Sequence, residues 1–409
     1  MKRIAIKEVC EVYDGPHATP KKTDNGPVYL GIDAITEDGL LDPSQFAHLS
    51  EEDYVKWTKR VTPQENDIVF SYEATLGRYA VIPKNFYGCL GRRLAIVRII
   101  NEEINAKWLY YYFRSPEWTS FIKNQTVKGS TVDRVSIEEF PEYTIPAISL
   151  EVQNKIVNVL DRIDSKIANN KKINDYLEEM AKTIYDYWFV QFDFPDGNGK
   201  PYKSSGGTFK TGLPIGWNYV PIKNICNILS GFSFQSDNYV KNGKYKLLTI
   251  KNVQDTGINL DVDNYISILP ENMPEYCKLD IGSILMSLTG NVGRVGILYD
   301  SNCLLNQRVS LMQAKNPIMA PFIYCLLKSG KMRYILESLA IGTSQKNLSP
   351  IEAGNIMIPY DSEIVNDFSK KVTPLIDFII TNLKENNHLT NLRNWLLPIL
   401  MNGQATIED

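Results

Sequence analysis

The chain repeats itself, and that limits its possible folds more than any other property of its 409 residues. Residues 6–15, IKEVCEVYDG, return as IKNICNILSG at 222–231, an offset of 216. Residues 65–82, ENDIVFSYEATLGRYAVI, return as GSILMSLTGNVGRVGIL at 282–298, superposing Ser71 on Ser287, Gly77 on Gly293 and Arg78 on Arg294. CLGRRLAIV (89–97) parallels CLLNQRVSLM (303–312), and WLYYYFRSPEWTSFI (108–122) parallels FIYCLLKSGKMRYIL (322–336). KGSTVDRVSI (128–137) parallels IGTSQKNLSP (341–350). The offset stays between 213 and 218 throughout. Chance does not sustain collinear matches of that length, so each half folds into the same unit.

Within each copy, short β-branched runs such as DIVFSY, LAIVRII, YKLLTI and SILMSL read as strands separated by Gly- and Pro-rich turns. A hairpin-sized helical segment follows, then one long helix. The expected fold class is α+β, with two mostly β domains at 1–149 and 217–361 and long helices at 150–190 and 362–403. Residues 191–216 are dense in Gly, Pro, Ser and Lys and are expected to be a linker.

Both long helices carry the alternating spacing of a coiled coil. In the first, one seam holds Ile156, Ile163, Asn170, Leu177 and Ile184, and the other Leu160, Ile167, Asn174, Ala181 and Trp188. In the second, Phe368, Leu375, Asn382 and Leu389 face Val372, Ile379 and Asn386. A buried Asn costs stability but penalises any pairing that leaves its amide unbonded. Helices related by a pseudo-twofold axis pack antiparallel, so Asn170, Asn174, Asn382 and Asn386 are expected to meet as a register lock. The alternative has them facing solvent where the seam splays. Pro374 interrupts the second pattern, and a restart is expected there, with Thr373 as N-cap. A helix of about 35 residues spans roughly 50 Å, more than the ~34 Å turn of B-DNA. Two reading domains on such a spacer would straddle a gap between separate half-sites.

Composition excludes several classes. The net charge of −3 argues against coating nucleic acid by bulk charge, so any DNA contact must come from local basic patches. No window has the ~18 apolar residues of a membrane span, and the N-terminus lacks a signal-peptide apolar run. Six cysteines show no CxxC spacing and only three His occur, which points to buried free thiols in a reducing cytoplasm and to no metal site. The sequence has no N/D-P-P-Y/F methyltransferase motif, no phosphate-binding GxxxxGK[ST] loop, and lacks the second acid of a nuclease site after Pro195-Asp196. An autonomous enzyme is not expected.

The chain resembles the specificity subunit of type I restriction–modification systems. MAKTIYDYWFVQFDFP (180–195) resembles that family's central segment and LRNWLLPILMNGQ (392–404) its C-terminal segment. IPAISLEVQNKIVNVLDRID (145–164) resembles the start of its first spacer helix, and LPIGWNYVPI (213–222) the entry to its second recognition domain. The resemblance covers essentially the whole chain. It implies two pseudo-twofold-related target-recognition domains separated by two long helices in an antiparallel coiled coil. Each domain would read one part of a split double-stranded DNA target. The helices would act as ruler and as docking surface for two methyltransferase subunits, with restriction subunits joining. No cofactor is expected on this chain; S-adenosylmethionine, ATP and Mg belong with the partners.

Candidate DNA contacts come from the duplicated loops. In ATLGRY (74–79) and TGNVGRV (289–295) a Gly-containing turn precedes Arg78 and Arg294, with Asn291 alongside. Glycine lets backbone N–H groups approach phosphate, and Arg can fork onto guanine. Because both copies keep the Gly-Arg pair, a shared role suits it better than base readout, and the plain alternative is Arg capping a neighbouring carbonyl. The second loop offers Lys128, Thr131, Asp133 and Arg134 in one copy and Ser344, Gln345, Lys346 and Asn347 in the other. Arg92, Arg93, Gln307 and Arg308 form a third pair of positions, with Lys21, Lys22 and Lys251 as further cations. The aromatic cluster Tyr185, Tyr187, Trp188, Phe189 and Phe192, with Trp395, is the candidate partner-docking surface. A duplicated coiled-coil scaffold that binds protein instead of DNA is the second reading.

Overall fold

A computed structural model describes residues 2–128, 132–342 and 345–404. Contacts divide the chain into two compact units, Met1–Ser165 with Leu389–Asp409, and Lys166–His388.

The first unit is built on a four-stranded antiparallel sheet in the order Cys10–Asp14, Leu94–Ile99, Ile68–Ser71, Tyr79–Val81. A second small sheet pairs Thr23–Leu30 in parallel with Gly88–Leu90, so that Val28 faces Gly88. Arg3–Ala5 pairs with Thr144–Pro146, tying the start of the domain to its end. Helix α1 (Glu51–Trp57) covers the small sheet's edge. Helices α2 (Ala106–Phe113) and α3 (Pro116–Gln125) form a hairpin, because the Ser115 hydroxyl accepts from Trp118 N and Pro116 pre-sets the first turn. Their aromatic faces and Phe140 fill the core: Trp108, Tyr112, Phe113, Trp118 and Phe140 are fully buried, and Trp118 Nε1 donates to Tyr79 Oη at 2.8 Å.

The second unit repeats this plan. Its sheet runs Cys226–Ser230, Val309–Ala314, Ile284–Ser287, Val295–Ile297. Tyr245–Leu248 pairs in parallel with Cys303–Leu305, and Asn218–Pro221 pairs with Met357–Tyr360. Helices α4 (Leu150–Tyr185), α5 (Ala320–Lys328), α6 (Gly330–Leu339), α7 (Pro350–Asn355) and α8 (Ser362–Met401) complete the chain. Ser329 caps α6 through Met332 N, as Ser115 caps α3. The repeated glycine is explained by close strand approach. A Cβ at Gly15 would lie 2.6 Å from Gly91 O, and one at Gly231 would lie 2.1 Å from Asn306 O.

The α+β class with two repeated mostly β domains and long helices is what the structure has. In each unit the segments of α4 and α8 pack antiparallel. In the first, Ile156, Val157 and Leu160 share a core with Leu397, Leu400 and Met401. In the second, Ala181 and Trp188 share one with Phe368, Val372 and Ile379.

One expectation needs correction. Helix α8 does not restart at Pro374 but runs unbroken for 40 residues. The Thr373 hydroxyl donates back to Ser369 O at 2.8 Å instead of capping a new first turn. Pro374 itself is exposed, and the buried residues around it, Phe368, Val372, Ile376 and Ile379, hold the helix through the missing N–H. Residues 191–216 connect the halves but are no loose tether. Asp193, Phe194 and Leu213 are buried, Asp193 accepts from the backbone and hydroxyl of Ser204, and Phe194 stacks between Tyr202 and Trp217. The composition reads as flexible because glycines and serines here serve tight turns between those anchors.

Candidate nucleic-acid interface

Three duplicated loops meet at one end of each four-stranded sheet. The first follows Ile68–Ser71 or Ile284–Ser287 and is closed by its leading serine. The Ser71 hydroxyl donates to Thr75 O and accepts from Arg78 N, and the Ser287 hydroxyl donates to Asn291 O and accepts from Arg294 N. Gly77 and Gly293 sit at φ near +80°, where a side chain would be strained. The second loop is pinched by reciprocal backbone bonds, between Val127 and Arg134 in one unit and between Ile341 and Asn347 in the other. It docks on the first loop in the same way twice. Ala74 N donates to Asp133 O and Val135 N to Tyr72 O; Gly290 N donates to Lys346 O and Leu348 N to Leu288 O. The third loop joins through Tyr72 N to Arg93 O and Leu288 N to Arg308 O. Main-chain bonds and the two serines thus fix much of the cluster, leaving several of its outward side chains without a structural role.

Those side chains differ between the units. Arg92, Lys128, Asp133 and Arg134 are exposed in the first; Asn291, Gln307, Arg308, Gln345, Lys346 and Asn347 are exposed in the second. The structure therefore brings these expected candidates together. Thr131 and Ser344 lie outside the described residues. Lys21 and Lys22 are exposed just ahead of Thr23–Leu30, on a separate segment. Lys251 is exposed and paired with Asp263 at 2.9 Å, a contact between solvent-facing groups that another anion can replace.

The Gly-Arg pair turns out to anchor the first loop. Arg78 donates from Nη1 to Ile35 O at 3.0 Å and lies 3.9 Å from Glu37, the carbonyl-capping alternative that the sequence left open. Arg294 is held by Asp255 at 2.8 Å, and Asp255 is gripped from its other oxygen by Arg333 at 2.6 Å. Partial burial works against the Asp255 charge, yet the guanidiniums of Arg333 and Arg294 outweigh it and keep the carboxyl below its usual range. Arg93 is likewise engaged, 3.0 Å from Glu73.

In the second unit a groove of about 550 Å³ opens beside the loops, lined by Lys251, Gln254, Asp255, Thr256, Thr289, Asn291 and Arg294 among others. Sequence reasoning missed Gln254, Asp255, Thr256 and Thr289. IDAITEDG (32–39) and IKNVQDTG (250–257) align at an offset of 218 and place Glu37 against Asp255. That was the available signal, and it is weak because only the Ile and the closing Gly are identical.

The four seam asparagines are brought together as two cross-helix pairs. Asn170 Nδ2 donates to Asn386 Oδ1 at 3.0 Å, and Asn382 Nδ2 to Asn174 Oδ1 at 2.8 Å. Asn170 is 1% exposed and also donates to Glu385 at 2.7 Å. Asn170 and Lys166 together hold the Glu385 carboxyl below its usual range.

The sequence profile described as the type I restriction modification DNA specificity domain matches residues 1–179 and again 214–391, most of the chain. The chain belongs to this family. The type I restriction enzyme MjaIX specificity subunit of Methanocaldococcus jannaschii is 26% identical over 88% of this chain and 82% of its own length. The MjaVIII specificity subunit of the same organism is 27% identical over 87% and 83%. The crystal structure of a type I restriction–modification S subunit from M. genitalium aligns over 98% of this chain and 95% of its own at a TM-score of 0.54 and 17% identity, a likeness of fold. This protein is thus a DNA specificity subunit, and catalysis in such systems resides in other subunits.

In this specificity subunit the aromatic cluster is divided between core and surface. Tyr185, Trp188 and Phe189 are buried in the second unit's core, packed tilted or edge-on against Phe322 and Phe368, and Phe192 packs partly buried against Trp217. The helix ends there in a π-helical turn, Asp186–Val190, which turns these rings inward. They close the core and have no face to offer. Tyr187 at 37% and Trp395 at 63% do remain exposed. So do Ile173, Tyr176 and Met180, spaced three and four residues apart on the outer side of α4, and these the seam pattern did not reveal. Among the described residues no helix is long and apolar enough to cross a membrane, and no His/Cys/Asp/Glu cluster has metal-ligand geometry.

Proposed function

We propose that this specificity subunit reads a bipartite double-stranded DNA target, each β domain contacting one half-site through its three-loop cluster. The observation that carries the reading is the pair of loop clusters, which share one main-chain bonding pattern yet present different polar side chains. Asp133 and Arg134 in one stand where Lys346 and Asn347 stand in the other. Lys128, Arg92, Arg134 and, outside the described residues, Thr131 serve the first half-site. Asn291, Gln307, Arg308, Gln345, Lys346 and Ser344 serve the second, with Lys251 and the groove beside it. Lys21 and Lys22 supply backbone charge.

Residues 1–149 and 217–361 act as the reading domains. Helices α4 and α8, 36 and 40 residues long, act as the ruler between half-sites and as the docking surface for two methyltransferase subunits in the cytoplasm. Restriction subunits join that complex. S-adenosylmethionine, ATP and Mg are bound by the partners. The overall acidity of the chain supports readout from local clusters over charge coating.

Mapping adenine methylation in a host that expresses the chain with its methyltransferase tests this. The expected motif has two specified parts at fixed spacing, and Lys346→Ala relaxes one position of one part only. An uninterrupted motif, or relaxation in both parts at once, would overturn the assignment of one cluster to one half-site.

A further inference from the structure

Both copies place an arginine in left-handed backbone at the end of the third loop: Arg93 at φ 75° and Arg308 at φ 70°. L side chains rarely adopt this conformation, and glycine would do so without strain. The backbone duty there is the carbonyl that accepts from Tyr72 N or Leu288 N, which any residue supplies. Yet both loops keep a guanidinium.

The two guanidiniums have different surroundings. Arg93 Nε lies 3.0 Å from Glu73 Oε1, both side chains only about a quarter exposed. Glu73 bridges to Arg134, and the residue with the same bridge in the second unit, to Asn347, is Thr289. The Thr289 hydroxyl donates to Asn347 Oδ1 at 2.8 Å and carries no charge. Arg308 is exposed and, among the described residues, has no ion-pair partner.

We infer that Glu73 tunes the phosphate contacts of the first reading domain: its carboxylate occupies Arg93 in place of a DNA phosphate, a contact that Arg308 is free to make in the second domain. The consequence is one fewer phosphate contact at the first half-site, which leaves its readout resting more on the exposed side chains of the second loop. The inference rests on the DNA-reading function proposed above.

The test is a salt titration of binding by the full chain to a pool of random-sequence duplexes. Each phosphate contact adds about 0.9 to the slope of log affinity against log salt. Arg308→Ala should make the parent slope shallower by about that amount, whereas Arg93→Ala should leave it unchanged. Glu73→Gln, which keeps the side chain's shape, and Glu73→Thr, which copies the second unit, should steepen it by about 0.9. Adding Arg93→Ala to either should remove the gain. Equal losses from Arg93→Ala and Arg308→Ala would overturn the inference without disturbing the DNA reading. So would weaker binding in both Glu73 variants. A parent chain with no salt-dependent DNA binding would overturn both.

Discussion

Asn170 and Asn386 show how a buried polar pair specifies instead of stabilising. Each amide is held by the other helix, and truncating one leaves its partner's oxygen or N–H buried without a mate. Asn170→Leu should therefore cost about 1–3 kcal/mol of unfolding free energy. Asn170→Leu combined with Asn386→Leu should recover that loss while permitting shifted or oligomeric pairing. Urea denaturation with light scattering reads both effects, and equal losses from single and double variants would remove the register role. Asp255 acts at the same scale. Its carboxyl lies below its usual range, so the stabilisation from its two arginines is full at neutral pH. It fades as the pH falls below the unfolded value of about 3.9 and the folded group takes up a proton. Asp255→Asn should flatten the acid side of the stability curve, its difference from the parent shrinking as the pH falls. The asparagines were legible in the sequence because the heptad marks seam positions without ambiguity. The arginines were legible only as alternatives: a Gly turn suits a ligand-reaching cation or a cap on a carbonyl, and only the fold supplies Ile35 O for Arg78 and Asp255 for Arg294.

At the scale of elements, the strands and helix hairpins could be read from sequence because they recur, and recurrence averages out local ambiguity. What failed was local propensity set against long-range packing. Pro374 reads as a helix break, but four buried apolar residues within seven positions of it outweigh one absent hydrogen bond. Pro374→Ala should raise stability by up to about 3 kcal/mol, the ordinary cost of an interior proline, as read by the urea midpoint. A decrease would mean that the proline sets a bend the packing requires. The aromatic run at the end of α4 misled for a related reason: a π-helical turn rotates Trp188 and Phe189 into the core, and no spacing rule in the sequence announces such a turn.

At the scale of the whole molecule, Ile173, Tyr176 and Met180 form one exposed apolar patch on α4, and the proposed function makes it a docking surface to test. Tyr176→Glu with Met180→Glu should weaken methyltransferase assembly at least tenfold on size-exclusion chromatography, with thermal stability unchanged. Assembly at parental strength would move docking elsewhere, Tyr187 and Trp395 being the next surfaces to test. The loop clusters carry a different lesson. Because Ser71 and Ser287, and the backbone bonds around them, hold each cluster without help from its outward side chains, those side chains can be exchanged with little effect on folding. A segment such as 341–348 could be transplanted onto the frame at 127–135, and a new target would then arise by substitution at a handful of positions while the scaffold and its assembly partners stayed the same.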